Sequence, residues 1–298
     1  MKSQTMQYHK VSYKYVQINS IRIAYRESGV TQSPVLLLLH GFPSSSHMFR
    51  NVIPVLSQHF HVIAPDLPGF GFSEVPSQNA FEYTFENYAE LMAQFLDHLQ
   101  VRKSSFYLFD YGAPILMRLL VKRPEMIEML IFQNGNIFSE GVGDVLKDIS
   151  KLFAEDTFDN YFKLKKYFEF DYTKWEYLNG VQDISNVAAE AYTLDQFLMD
   201  RQGVKAIQME LKRDYKTNQA LYTHWQDALS QLQPVTLIVW GENDEVFKKQ
   251  GALLLHERLE HSKLVFYPTG HFALEEFGDA IAKEIIQYWH LHFNRTYS

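Results

Sequence analysis

Three short stretches carry side chains that could do chemistry. Asp110 stands in Ser105-Phe106-Tyr107-Leu108-Phe109-Asp110-Tyr111-Gly112-Ala113-Pro114, Asp244 in Trp240-Gly241-Glu242-Asn243-Asp244, and His271 in Thr269-Gly270-His271-Phe272. Each follows an apolar run that reads as a strand. Ala113 to Val121 is apolar and helix-permissive until Arg123-Pro124 stops it. Asp110 therefore falls where the chain turns sharply from strand into helix, and Gly112 leaves room for the returning helix. The chemistry follows from residue type. A serine must lose a proton before it attacks. An aspartate, with an ordinary pKa of about 3.9, is already an anion at neutral pH and can displace a leaving group at a saturated carbon. The product is an ester between Asp110 and the substrate. His271 would take the proton of the water that clears that ester, and Asp244 would hold the imidazole tautomer and stabilise its charge. Singly, each has an ordinary alternative: a helix cap for Asp110, a turn or cap residue for Asp244, a surface loop residue for His271. Their joint order, each at a strand end, weighs against coincidence.

Asp110-Tyr111-Gly112-Ala113-Pro114, His40-Gly41-Phe42-Pro43 and the run from Asp66 to Ser73 (Asp-x-Pro-Gly-x-Gly-x-Ser) add to this order. Together they resemble the Asp-nucleophile branch of the α/β-hydrolases, the epoxide hydrolases and haloalkane dehalogenases. The similarity runs from the first hairpin to the C-terminal helix. It implies a nucleophile–acid–histidine set of Asp110, Asp244 and His271, with the backbone N–H groups of Phe42 and Tyr111 as the oxyanion hole. It implies structural parts for His40 and Asp66, and a loop shaped by Pro43 through a cis bond. Relatives can carry the acid after the strand that precedes the insertion. Here that segment is Gln133-Asn134-Gly135-Asn136, without a carboxylate, which favours Asp244. Asn134 or Asn136 is then a turn residue or a pocket donor.

The resemblance also frames the substrate. In epoxide hydrolases one or two tyrosines of the cap give a proton to the alkoxide. Tyr161, Tyr167, Tyr172, Tyr177, Tyr192 and Tyr215 are candidates here, and Tyr192 and Tyr215 are preferred. Trp175 and Phe272 complete the expected pocket wall. Haloalkane dehalogenases place Trp after the nucleophile, paired with an Asn or a second Trp, whereas this chain has Tyr111 and Phe42. His-Gly-Phe-Pro is closer to epoxide hydrolases, although they too commonly carry Trp where Tyr111 stands. The paired arginines of fluoroacetate dehalogenases are not matched. The expectation is an epoxide-hydrolase-like enzyme, with a haloalkane dehalogenase-like hydrolase second. A ligand-binding protein that keeps the fold without turnover is the alternative outside catalysis.

The elements that must position these residues are legible by alternation. A hairpin spans Lys10 to Arg26 about Asn19-Ser20. Val35 to Leu39 is a continuous apolar run, the mark of a strand buried on both faces. His61 to Ala64, Ser105 to Phe109, Glu128 to Phe132, Val235 to Trp240 and Lys263 to Tyr267 follow as strands. Helices are predicted over 46–58, 85–99, 113–121, 249–259 and 280–292. Strand–helix alternation predicts an α/β fold with a mostly parallel, eight-stranded, doubly wound sheet. Such sheets bind ligands at the carboxyl ends of their strands. From about Phe138 to Gln226 alternation stops and the chain is helical and aromatic. The expected division is a core domain of 1–136 and 227–298 with a helical cap, 137–226, inserted in it.

Composition narrows the partners. Over 298 residues the net charge is −7, with no basic tract, which argues against nucleic acid. There is no cysteine, hence no disulfide, thiol nucleophile or thiolate metal site. Metal-ligand spacings and phosphate loops are absent, so no cofactor is expected, and His290 and His292 read as a helix surface. No segment is apolar enough to span a membrane, and Met1-Lys2-Ser3-Gln4-Thr5 opens no signal core, so a cytoplasmic location is expected. Asn294-Arg295-Thr296 is a glycosylation sequon by pattern alone. The aromatic cap implies an enclosed pocket for a small or medium apolar substrate.

Overall fold

Apolar runs of five to seven residues, buried on both faces, form the centre of the molecule. The computed structural model describes residues 9–155 and 157–293, so the sequon at Asn294 and the opening residues Met1 to Thr5 lie outside the described residues. Eight strands form one sheet: β1 (Ser12–Ile18), β2 (Ile21–Ser28), β3 (Val35–Leu39), β4 (His61–Pro65), β5 (Ser104–Phe109), β6 (Ile127–Gln133), β7 (Thr236–Gly241) and β8 (Ser262–Tyr267). Their order is β1-β2-β4-β3-β5-β6-β7-β8. The β1–β2 hairpin and the β2–β4 pair are antiparallel, and every other pair is parallel. The helices are α1 (Ile53–Leu56), α2 (Phe85–His98), α3 (Gly112–Leu120), α4 (Asp144–Ala154), α5 (Phe158–Lys165), α6 (Phe170–Leu178), α7 (Ala189–Met199), α8 (Val204–Asp214), α9 (Lys216–Gln219), α10 (Tyr222–Leu232), α11 (Gln250–Arg258) and α12 (Ala273–Phe293).

The period of two along the strands sorts side chains into two cores. Leu37, Leu39, Phe106, Leu108, Leu130, Phe132, Ile238 and Trp240 share one face with α2, α3 and α11. Leu36, Leu38, Tyr107, Phe109, Met129, Ile131, Leu237 and Val239 share the other with α1 and α12. Both layers consist of buried apolar side chains, and the sheet lies between them. Among the described residues no helix is long and apolar enough to cross a membrane.

Three boundaries differ from expectation. The helix expected over 46–58 is a short 3-10 turn, Ser46–Phe49, followed by α1. Pro54 lacks an N–H and fits only a first helical turn, so a second helix begins there. The last helix starts at Ala273, seven residues earlier than expected, and is broken at Phe277 (φ −119°, ψ 19°) just before Gly278. The expected edge of the insertion at 226/227 falls inside α10, whose Gln226 Nε2 donates to Ile137 O at 2.7 Å. Between β6 and β7 the described residues form helices and short turns, with one isolated bridge from Val142 to Phe247.

Two loops cross closely at the carboxyl ends of β3 and β5. A Cβ on Gly112 would lie 2.6 Å from Leu39 O and 2.9 Å from His40 O. A Cβ on Gly41 would collide with the Asp110 carboxylate. Gly112→Ala is therefore expected to force these backbones apart and destabilise the protein by about 1–3 kcal/mol, read as a lower urea midpoint. An unchanged midpoint would show that the close approach is dispensable.

Candidate active site

Asp110 is the residue between β5 and α3, with φ +43°. That left-handed conformation is rare for a side-chain-bearing residue and turns the carboxylate up over the sheet. Only 4% of its surface is exposed. Phe42 N–H donates to Oδ1 at 2.6 Å, and the Tyr111 N–H at the start of α3 also bonds the carboxylate. The Phe42–Pro43 bond is cis. The helix N-terminus adds a favourable field for an anion. Burial pushes the Asp110 carboxyl up, while His271, the Phe42 N–H, Lys212 and the Tyr111 N–H pull it back.

His271 precedes α12 and Asp244 follows β7. His271 Nδ1 lies 2.7 Å from Asp244 Oδ2. An ionised carboxylate accepts only, so Nδ1 carries the proton and Nε2 faces the other way. Nε2 stands 3.8 Å from Asp110 Oδ2, too far for a hydrogen bond and close enough for strong attraction when the ring is charged. Asp244 is held in turn: Val246 N–H donates to Oδ1 at 2.7 Å and Asn134 Nδ2 to Oδ2 at 2.7 Å. Burial lowers the His271 pKa, but the carboxylates of Asp244, Asp110 and Glu176 outweigh it, and the ring is pushed up to about 9. The arrangement can attack with one carboxylate and activate water with an imidazole oriented by another.

His40 and Asp66 sit beneath the loops. His40 Nε2 accepts from Leu67 N–H at 3.0 Å, and its Nδ1 faces Gly41 O at 3.0 Å. Asp66 Oδ1 accepts from Ser46 N–H at 2.7 Å and Oδ2 from Phe72 N–H at 2.8 Å. Both groups spend their polar atoms on backbone.

The pocket residues expected from sequence divide. Asn134 does not line a pocket. Its φ of +45° turns the amide inward, where Oδ1 accepts from Gly241 N–H at 2.9 Å and Nδ2 holds Asp244. Tyr192 does not approach Asp110 either; its ring packs 5.9 Å from Phe170 and 6.0 Å from Tyr177. Tyr215 packs 6.2 Å from the Tyr111 ring, and its hydroxyl lies 3.0 Å from that of Tyr222. Trp175 stacks on Tyr172 at 5.4 Å. Phe272 is pressed flat against Tyr177, 3.8 Å away and 7° from parallel. Tyr177 donates to Asp195 at 2.5 Å, so its hydroxyl is committed.

Two further groups enter from the insertion. Lys212 Nζ lies 3.8 Å from the centre of the Phe42 ring, and Glu176 is 3% exposed beside it on α6. Sequence reasoning passed over both because charged residues on helices read as solvated. A signal existed: Val204, Ile207, Gln208, Leu211, Lys212 and Tyr215 follow the spacing of one helical face, and all six are buried. Large surface clefts lie elsewhere. One of about 360 Å³ is lined by Tyr83, Arg213 and Asp214, and one of about 310 Å³ by Tyr161, Phe168 and Met209. Neither contains Asp110, His271 or Asp244, all three of which are buried.

Known proteins can now be set beside this geometry. A family model described as the alpha/beta hydrolase fold matches residues 34–277. An uncharacterized hydrolase of Saccharomyces cerevisiae is 41% identical over 285 residues, 94% of this chain and 96% of its own. A haloalkane dehalogenase of Bradyrhizobium diazoefficiens is 37% identical over 110 residues, 37% of this chain and 34% of its own. The crystal structure of a haloalkane dehalogenase loop variant from Bradyrhizobium elkanii superposes with a TM-score of 0.79 over 94% of this chain and 96% of that one, at 19% identity, a likeness of fold. With its parallel sheet, its strand-end site and a family match across most of its length, this chain belongs to the α/β-hydrolase family.

Proposed function

We propose that this hydrolase attacks a saturated carbon of a small substrate with Asp110 and releases the resulting ester with water activated by His271. The observation that carries this is the placement of the Asp110 carboxylate. Phe42 N–H holds one oxygen at 2.6 Å, and the other stands 3.8 Å from His271 Nε2. A serine-type mechanism would need a hydroxyl on the elbow, and the elbow residue is Asp110. In the second step the oxyanion forms on the Asp110 carboxyl, against the same Phe42 and Tyr111 N–H groups. The rings of Phe42, Tyr111, Phe168 and Tyr172 favour a substrate with an apolar body.

An epoxide is the preferred substrate class. Ring opening leaves an alkoxide that needs a proton, and groups able to give one stand beside Tyr111 on the insertion side, the Tyr215–Tyr222 hydroxyl pair and the Lys212 ammonium. A halide would be served by indole donors, and Tyr111 occupies the position next to the nucleophile. The haloalkane dehalogenase reading is second, favoured by the relatives that bear that name.

Alkylation also readies His271 for its part. In the free protein the ring is held charged by the Asp244 and Asp110 carboxylates, and a charged imidazole cannot act as a base. Esterification makes Asp110 neutral and removes one of the two. His271 pKa then falls when the base is required.

Two measurements check this. His271→Gln, incubated separately with styrene oxide and 1-bromobutane, is expected to accumulate an adduct on the peptide bearing Asp110, seen by mass spectrometry. An epoxide adds its whole mass, and a bromoalkane adds its mass less hydrogen bromide. A folded protein with no adduct from either would sink the nucleophile assignment. By NMR, His271 should titrate at about 9, above its ordinary 6.5, and Asp110→Asn should move it downward. Stability has the matching sign. The pKa is raised on folding, so the charged ring contributes fully below about 6.5 and the contribution is lost as pH rises through about 9.

A further inference from the structure

Lys212 lies on the buried stripe of α8, and its ammonium stands among four aromatic rings. Nζ is 3.8 Å from the centre of the Phe42 ring, 5.8 Å from that of Tyr172 and 5.9 Å from those of Tyr111 and Phe168. Only 7% of the residue is exposed. Aromatic faces attract the charge but leave the N–H groups without acceptors. Among the described residues Lys212 has no hydrogen-bond partner and no carboxylate within 4 Å. A buried cation of this kind is costly unless something with negative charge comes to it. Phe42 fixes where that would be. Its N–H holds the Asp110 carboxylate while its ring carries the ammonium, so the two charges flank one residue.

Displacement at carbon is in line: the leaving atom departs on the side away from Asp110. We propose that Lys212 is the receptor for that leaving atom, an anion site on the insertion side of Asp110; this rests on Asp110 being the nucleophile. For a halide, the carbon–halogen bond breaks as the Asp110 oxygen–carbon bond forms, and the halide takes the electron pair and remains bound to the ammonium. For an epoxide, the ring carbon–oxygen bond breaks in the same way, and a proton passes from Nζ to the alkoxide. The amine left behind recovers a proton from solvent, which receives the proton that His271 takes from water, so the count balances.

Glu176 leaves that ammonium without a counter-charge. It is buried on α6 one turn from Tyr172, and its Oε2 has no hydrogen-bond partner among the described residues. Burial pushes its carboxyl up to about 8, against the pull of Lys212 and His271, so it carries a proton at neutral pH. Burial also lowers the Lys212 pKa, against Glu176 and Asp110, which makes the ammonium a better donor.

The plain alternative is a lysine that only packs on rings. The two separate on leaving-group dependence. In the His271→Gln background, adduct formation is timed with 1-iodobutane, 1-bromobutane, 1-chlorobutane and 1,2-epoxybutane, with Lys212 intact and as Lys212→Met or Lys212→Arg. Met keeps the apolar contacts and removes charge and donors. The loss with Lys212→Met should reach about 100-fold for the chloride and the epoxide and be about tenfold smaller for the iodide, which needs little help. Lys212→Arg should restore most of it. An equal loss for all four substrates, or none, would overturn the proposal. A second measurement does not depend on alkylation. Bromide titrated into the wild-type protein should quench Trp175, which stacks on the ring beside Lys212, and should not do so in Lys212→Met. Equal quenching in both would overturn the anion site even where no adduct forms, and missing adducts with a Lys212-dependent bromide response would count against Asp110 alone.

Discussion

The structure depends on one close approach, the β3 loop against the turn that follows β5. There a carboxylate is taken out of water and given backbone donors in exchange. The exchange works only if two backbones come within contact distance, which is why Gly41 and Gly112 carry no side chain toward each other's loop. Asp110 accepts a left-handed φ to complete it. An isolated buried carboxylate would shed its charge, because desolvation disfavours the ionised form. Here the Phe42 and Tyr111 N–H groups, His271 and Lys212 all oppose that tendency. His40 and Asp66 then hold the crossing loops by backbone hydrogen bonds, so the donors are fixed before any ligand arrives.

Around that point five ionisable groups share a desolvated volume. Asp110 and Asp244 bracket one imidazole, and Glu176 and Lys212 approach from the insertion. The two sets behave differently. His271 gains enough from carboxylates to stay charged, whereas burial drives both Glu176 and Lys212 toward their neutral forms. A site built this way responds strongly to any loss of charge within it. In low dielectric a single neutralised carboxylate changes the field on every neighbour. In the proposed mechanism ester formation at Asp110 is such a change, and it acts on the group that would next become a base.

The sheet was legible because its strands are short, apolar and bounded by glycine, proline and asparagine, and all eight appear where alternation predicts them. Asp110, Asp244 and His271 were legible because strand ends in a parallel sheet converge on one edge. What the sequence withheld is tertiary. Nothing local says which tyrosine of the insertion faces the carboxylate. Tyr215 approaches through Tyr111, while Tyr192 is taken up by Phe170 and Tyr177. Gln133-Asn134 reads as turn chemistry, yet Asn134 bridges Gly241 and Asp244 across two strand ends. Lys212 was hidden by residue type rather than by position, since helical spacing alone puts it on the buried stripe.

These observations divide the work between the two parts of the chain. The sheet and its loops hold the Asp110 carboxylate with the backbone N–H groups of Phe42 and Tyr111. The insertion brings side chains toward the same site, Glu176, Lys212 and the Tyr215–Tyr222 pair. In the proposed mechanism backbone donors meet the oxyanion of the ester intermediate, and side chains of the insertion face the part of the substrate that differs from one reaction to another. Likeness of the sheet to a haloalkane dehalogenase therefore says little about the leaving group. The identity of residue 212 and of its neighbours on α6 bears on it directly, because a lysine among four aromatic rings presents a different surface to a departing atom than an indole would.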